Sequence, residues 1–177
     1  MNKQSIIQQY FEGKTHESAF LDSDQIQFTD AVREACKANY CGRYNTCWTC
    51  PPAVGDLREL ESHYKRYPRA FVYTTKHDVE DSFDIEGMFE ARVVHDAIDK
   101  EAADMIDSIG GELLIPGGCN ICEKCSYPDS PCRFPHKAKK SVEACGIDVV
   151  QLAATCGIHY YNGVNTVTYF SVIFFEE

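Results

Sequence analysis

The sequence is short of positive charge: 17 Lys and Arg stand against 27 Asp and Glu, for a formal charge of -10. A phosphate backbone needs a dense basic footprint, so no nucleic-acid partner is expected. Long apolar runs are missing too. None approaches the length of a membrane span, so no membrane partner is expected. The opening stretch Met1-Asn2-Lys3-Gln4-Ser5-Ile6-Ile7-Gln8-Gln9 lacks the apolar run of a signal peptide. The expected compartment is therefore cytoplasmic and reducing, where the ten cysteines serve as free thiols rather than as a secreted disulfide scaffold. Ser-His-Asp spacings, phosphate-binding glycine loops and dinucleotide fingerprints are absent, and Gly110-Gly111 and Gly117-Gly118 match none of them. A conventional hydrolase, kinase or nicotinamide enzyme has no support. The remaining composition, 44% hydrophobic and 25% charged, is that of an ordinary globular chain, read as one metal-binding domain over residues 1–177.

What is there is cysteine, in two groups. The later group, Cys119-x2-Cys122-x2-Cys125, is followed after six residues by Cys132-Arg133-Phe134-Pro135. Three thiolates on one tight loop can hold three corners of a cubane, with the fourth cysteine close behind, so these four residues are the expected ligands of a [4Fe–4S] cluster. Zinc is the alternative, although its thiolate sites usually come as two C-x2-C knuckles separated by a longer loop. The earlier group is Cys36-x4-Cys41-x5-Cys47-x2-Cys50, closed by Pro51-Pro52, with Tyr44 and Trp48 as candidate aromatic covers. Cys36, Cys41, Cys47 and Cys50 read as a second metal site, so one cluster is expected and two are possible; the competing reading is four thiols that merely pack. Cys156 reads as structural. Cys145 stays open between ligand, support and core. Arg133, His136, Lys137, Lys139 and Lys140 form the dense basic segment of the chain. A four-thiolate cubane carries a charge near minus two when oxidised, which nearby cations stabilise; a plain solvated surface is the other reading.

The segments between are ordinary. Helical spacing is expected around Ile6, Ile7, Tyr10 and Phe11, then an extended piece at 19–21, then a Thr29-capped helix whose Ala31, Val32 and Ala35 lead to Cys36. Asp56 caps a helix through Leu57, Leu60 and Tyr64, and a strand follows at 70–75. The longest helix carries the stripe Ala91, Val94, Ile98, Ala102, Met105 and Ile109 toward the core. Its Glu86, Glu90, Asp96, Asp99, Asp104 and Asp107 read as a solvated outer face, and His95 as structural. A strand at 113–115 then makes strand, helix and strand a right-handed crossover with the two strands as parallel neighbours. The cysteine loop leaves the C-terminal end of that second strand, where α/β sheets carry function. A short helix at 141–144 and one opened by Asp148 precede the final strand 167–175, which is apolar on both faces and therefore central, with a hairpin partner near 159–165. The fold class is α/β: a single domain with a mixed sheet, helices packed on it and cysteine-rich metal-binding loops at one edge.

Cys36 and Cys41, Cys50-Pro51-Pro52, Cys119-x2-Cys122-x2-Cys125 with Cys132-Arg133-Phe134-Pro135, and Glu143-Ala144-Cys145-Gly146-Ile147-Asp148-Val149 together resemble a family of predicted metal-binding proteins that carries a domain-of-unknown-function label. The likeness covers the chain from about Cys36 onwards. It implies a metal cofactor and names no reaction. If Cys47 falls outside the motif, the N-terminal set of three borrows a ligand, leaves one iron open or holds no cluster of its own. The expected function is a small iron–sulfur redox or electron-transfer protein acting with a partner enzyme. A catalytic version, an iron–sulfur oxidoreductase or its accessory subunit, follows if one iron lacks a cysteine. Its partner is then a redox protein or a small-molecule substrate. The alternative is a structural or sensory zinc-binding module without redox activity.

Overall fold

The computed structural model describes residues 2–177, and its centre is a four-stranded sheet in the order β1-β2-β4-β3. Strand β1 spans Glu17–Asp22, β2 Arg69–Asp78, β3 Glu112–Leu114 and β4 Thr166–Phe175. Every pairing is antiparallel. The class is α and β in one unit, as expected, but the sheet is not mixed. The crossover from β2 to β3 exists, yet the two strands are not neighbours, because β4 lies between them and pairs with both. Its apolar faces on both sides suit that central place. No hairpin partner forms at 159–165, and residues 141–147 make turns instead of a helix.

Alternation along the strands sorts the core into two layers. Ala70 and Val72 of β2, with Phe170, Val172 and Phe174 of β4, face one side and meet helices α3 (Leu57–Tyr64) and α5 (Val149–Cys156). Phe71, Tyr73, Ile173 and Phe175 face the other, against α1 (Lys3–Phe11) and α4 (Ile85–Ser108). Caps fix where helices start: Asp56 accepts from the Arg58 and Glu59 amides, Asp148 from the Gln151 amide, and Thr29 from Val32 at the head of α2 (Asp30–Lys37). Helix α2 has no buried residue, so Ala31, Val32 and Ala35 do not enter the core. Among the described residues no helix is long and apolar enough to cross a membrane.

The face of α4 differs from the expected stripe. Its buried positions are Ala91, His95, Asp96, Asp99, Ala102 and Ile106, whereas Val94 is 54% exposed. Asp96 and Asp99 therefore do not belong to the solvated outer face. The reason is polar matching: the strands beneath offer hydroxyls, which a search for apolar periodicity ignores. Asp99 accepts hydrogen bonds from the Tyr73 hydroxyl and from Ser171, the latter at 3.0 and 3.1 Å. His95 bridges Thr75 at 2.7 Å and Ser171 at 2.8 Å through its two ring nitrogens. Burial pushes the Asp99 carboxyl up to about 7 and holds His95 down to about 3, so both are favoured neutral.

These shifts oppose one another in pH. Relative to its unfolded value of 3.8, Asp99 binds its proton more tightly when folded, so its contribution is fully present at low pH and is lost as pH rises toward 7. His95 acts in reverse, because the unfolded imidazole takes up a proton below 6.5 that the folded one refuses. Asp99→Asn removes the first effect alone. Compared with wild type, the variant should gain stability as pH climbs from 4 to 7, with a slope of up to about 1.4 kcal/mol per unit. Urea midpoints across that range test it, and two parallel profiles would take Asp99 out of the account.

Candidate metal centre

Each cysteine group sits in irregular chain fixed at both ends by regular structure. The later loop begins where β3 stops: Ile115 bridges Ser141, and Pro116-Gly117-Gly118 turns the backbone outward. The Gly117 amide donates to Glu143 Oε2 at 3.1 Å. The earlier loop runs from the end of α2 to the Asp56 cap of α3. The two loops touch at Gly118, where a Cβ would stand 3.3 Å from Cys50 Sγ. No larger residue could keep that approach without pushing the thiol aside. The contact is completed by the Cys119 amide donating to Thr49 Oγ1 at 3.4 Å and by Arg43 donating to the Cys119 carbonyl at 3.3 Å.

This contact brings thiols of both loops to one cavity. Cys119, Cys122, Cys125 and Cys132 line it, together with Cys47 from the earlier loop. Two guanidinium-bearing residues, Arg43 and Arg133, line it as well. Trp48 closes one side; its ring meets Tyr127 edge-on at 4.9 Å and its indole N–H donates to the Ser130 carbonyl at 3.1 Å. Tyr127, anchored by its hydroxyl on Asn45 at 2.7 Å, is thus the aromatic partner that Tyr44 was expected to be.

The remaining cysteines separate clearly. Cys50 is buried beside Cys47, whose Sγ lies 3.5 Å from Thr49 Oγ1; the closeness of the two thiols lowers Cys47 and raises Cys50. Cys36 lies under Glu143, with Sγ 3.9 Å from its carbonyl oxygen, and is raised by burial, then by the nearby Cys41 and the Glu143 carboxylate. Cys41 is exposed. Cys36 and Cys41 do not line the thiol cavity. Cys145 is fully buried in the core against Tyr64, and its thiol is pushed up to about 12 by burial. Cys156 packs at the margin of the same core, and burial alone raises it to about 11. Both are packing thiols by position.

The donor set fits a thiolate-bound metal group. Five thiols line one space, two arginines supply opposite charge, and the rest of the wall is Trp48, Thr49, Ile121, Ser126, Phe134 and Ala138. The enclosed volume is small, about 30 Å³, enough for a water or a single ion. Among the described residues no three His, Cys, Asp or Glu side chains are grouped tightly enough to hold one ion. A larger group therefore requires residues 119–125 to spread. That stretch makes no backbone–backbone hydrogen bond, so side chains hold it, among them Thr49 and Arg43 at Cys119 and Arg133 at the Lys124 carbonyl, while the Ile121 amide faces the Cys119 sulfur. Unspent amides next to sulfur are what tunes and holds a sulfur-rich centre. Arg43, Thr49 and Tyr127 were not found from sequence, since no spacing rule connects them to the thiols; only the contact between loops does.

The family model described as "Predicted metal-binding protein (DUF2284)" matches residues 19–175. No curated protein and no solved structure matches the chain. Trp48 is the one tryptophan in the sequence and lines the thiol cavity, so its emission should report filling of the site. Loading the protein with metal should quench or shift that emission, and Trp48→Phe should abolish the signal without changing metal content. Stoichiometric loading with unaltered emission would place the metal elsewhere.

Proposed function

The chain belongs to the predicted metal-binding protein family DUF2284, and from that premise we propose that it binds a [4Fe–4S] cluster and works as a small redox or electron-transfer protein. The observation that carries the reading is the convergence of Cys119, Cys122, Cys125 and Cys132 on one cavity, three of them at C-x2-C-x2-C spacing. These four thiols would hold the cluster. Cys36, Cys41, Cys47 and Cys50 would form a second site beside it, with Cys47 on the shared wall. When bound, a cubane supplies one-electron transfer.

The residues around it do the rest. Arg43 and Arg133 place positive charge where an anionic group would sit, which favours retention and a higher potential. Arg133 is itself fixed, donating to the Lys124 carbonyl at 2.9 Å inside the same loop. Trp48 and Tyr127 shield one side from water. Cys122, Cys125 and Cys132 remain only half-buried, so the centre lies close enough to the surface for a redox partner or a small molecule to approach. Such a protein suits a cytoplasmic, reducing setting.

Anaerobically purified protein should be brown and contain iron with matching acid-labile sulfide. Cys122→Ala and Cys125→Ala should lose about four irons, the content of one cubane, whereas Cys156→Ala should keep all its iron. Cys50→Ala then tests the second site: a fall from about eight to about four irons supports two cubanes, and a fall from about four to none one shared cluster. Colourless protein with stoichiometric zinc and no sulfide would overturn the redox reading in favour of a zinc module.

A further inference from the structure

One charged group near the cysteine loop has too few partners. Arg92 on α4 donates through Nε to Asp96 Oδ1 at 2.6 Å, while its Nη2 is buried with no hydrogen-bond partner. A guanidinium carries five donors, and an unpaired buried one costs free energy. Gly117 explains how close the group comes: its φ is +61° and a Cβ there would lie 2.6 Å from Arg92 Nη1. The arginine therefore lies tightly against the Pro116-Gly117 turn, two residues before Cys119.

Arg92 lines a groove of about 570 Å³, within the ordinary range for small-molecule sites. Two helices begin on that groove. Ala31 and Val32 come from the first turn of α2, and Val149 and Val150 from the first turn of α5. First-turn amides have no intrahelical acceptor, and the helix dipole adds positive potential at that end. The acids present are already engaged: Glu143 accepts from the Gly117 amide at 3.1 Å and Asp148 from the Gln151 amide at 3.1 Å. The remaining wall is apolar and open, with Val150 57% and Tyr160 53% exposed and Phe170 below.

We propose that this groove binds a small organic carboxylate with an apolar body. The carboxylate meets Arg92 and the two helix starts, and the body lies along Val32, Val150, Tyr160 and Phe170. A planar guanidinium suits a carboxylate, and apolar walls disfavour a fully hydrated anion. The binding requires only residues of this chain. Its role as the place where a substrate meets the metal centre rests on the iron–sulfur reading above.

The probe is benzoate, titrated into ¹⁵N-labelled protein while the Val149 and Val150 amides and the Arg92 Nε–H are followed by NMR. Saturable shifts are expected, with affinity falling at least ten-fold in Arg92→Gln and partly recovering in Arg92→Lys. Ala35→Phe should block the groove; because Ala35 is exposed on α2, this variant tests the site even if Arg92 variants fold poorly. Benzamide and inorganic phosphate should bind at least ten-fold more weakly than benzoate. An absent response to benzoate, equal binding by Arg92→Gln, or phosphate matching benzoate would overturn the proposal. Cys122→Ala separates the two readings: retained benzoate binding supports the groove whatever becomes of the iron, and lost binding in a well-folded variant refutes its independence.

Discussion

The structure depends on β4 being inserted between β2 and β3. That strand is last in the chain, yet it supplies the middle of the sheet, pairing with β2 along ten residues and with β3 along three. Its two apolar faces are what allow burial on both sides, at about 25 cal/mol for each Å² removed from water. Until β4 is in place, β2 and β3 have no common neighbour, and the loop that leaves β3 has no fixed origin. The placement of Cys119–Cys132 is thus conditional on the C-terminal ten-residue strand.

Helix α4 is the other constraint on the loop. It packs on β2, β3 and β4 and bears a line of polar groups along its buried side. At one end of that line His95 and Asp99 are satisfied by the sheet. Toward the loop, Asp96 takes both Arg92 and the Asn120 amide, and Asn120 lies directly after Cys119. The helix therefore holds the first cysteine of the run through a side-chain relay, while Cys122 and Cys125 have no such tether. A loop anchored to the helix at its start, and held further along only by Arg133 on the Lys124 carbonyl within the same loop, can take up a bulky group without disturbing the sheet.

Much of this was legible in the residues. The Thr29, Asp56 and Asp148 caps, the β2 run and the doubly apolar β4 all follow from local chemistry, and the helices and strands appear where those signals stand. The partition of α4 was not legible, because Asp96 and Asp99 look solvated until Tyr73, Ser171 and Asn120 are seen opposite them. The same holds for the sheet order: strand, helix and strand implies adjacency only if no later strand intervenes. At the candidate site, spacing identified the cysteines, whereas the touching of the loops at Gly118 and the grouping of Cys47 with the later run are tertiary facts. Nothing in a C-x2-C interval tells which of its two thiols faces which cavity.

Charge places the candidate centre in the context of the whole molecule. A chain of net charge -10 opposes gathering more negative charge, and several thiolates in one place would add to that repulsion. The fold answers locally: Arg43 and Arg133 line the thiol cavity, Arg92 lies under the turn that precedes it, and Lys139 is held on Asp107 at 3.5 Å nearby. These cations come from three separate stretches of sequence, only one of them the basic segment, so their joint presence at one edge is a product of the fold. Arg43 is the informative one. It belongs to the earlier cysteine loop yet hydrogen-bonds the backbone of the later, so the charge that offsets one thiol group is carried by the other's loop, and the two cannot be understood as independent modules.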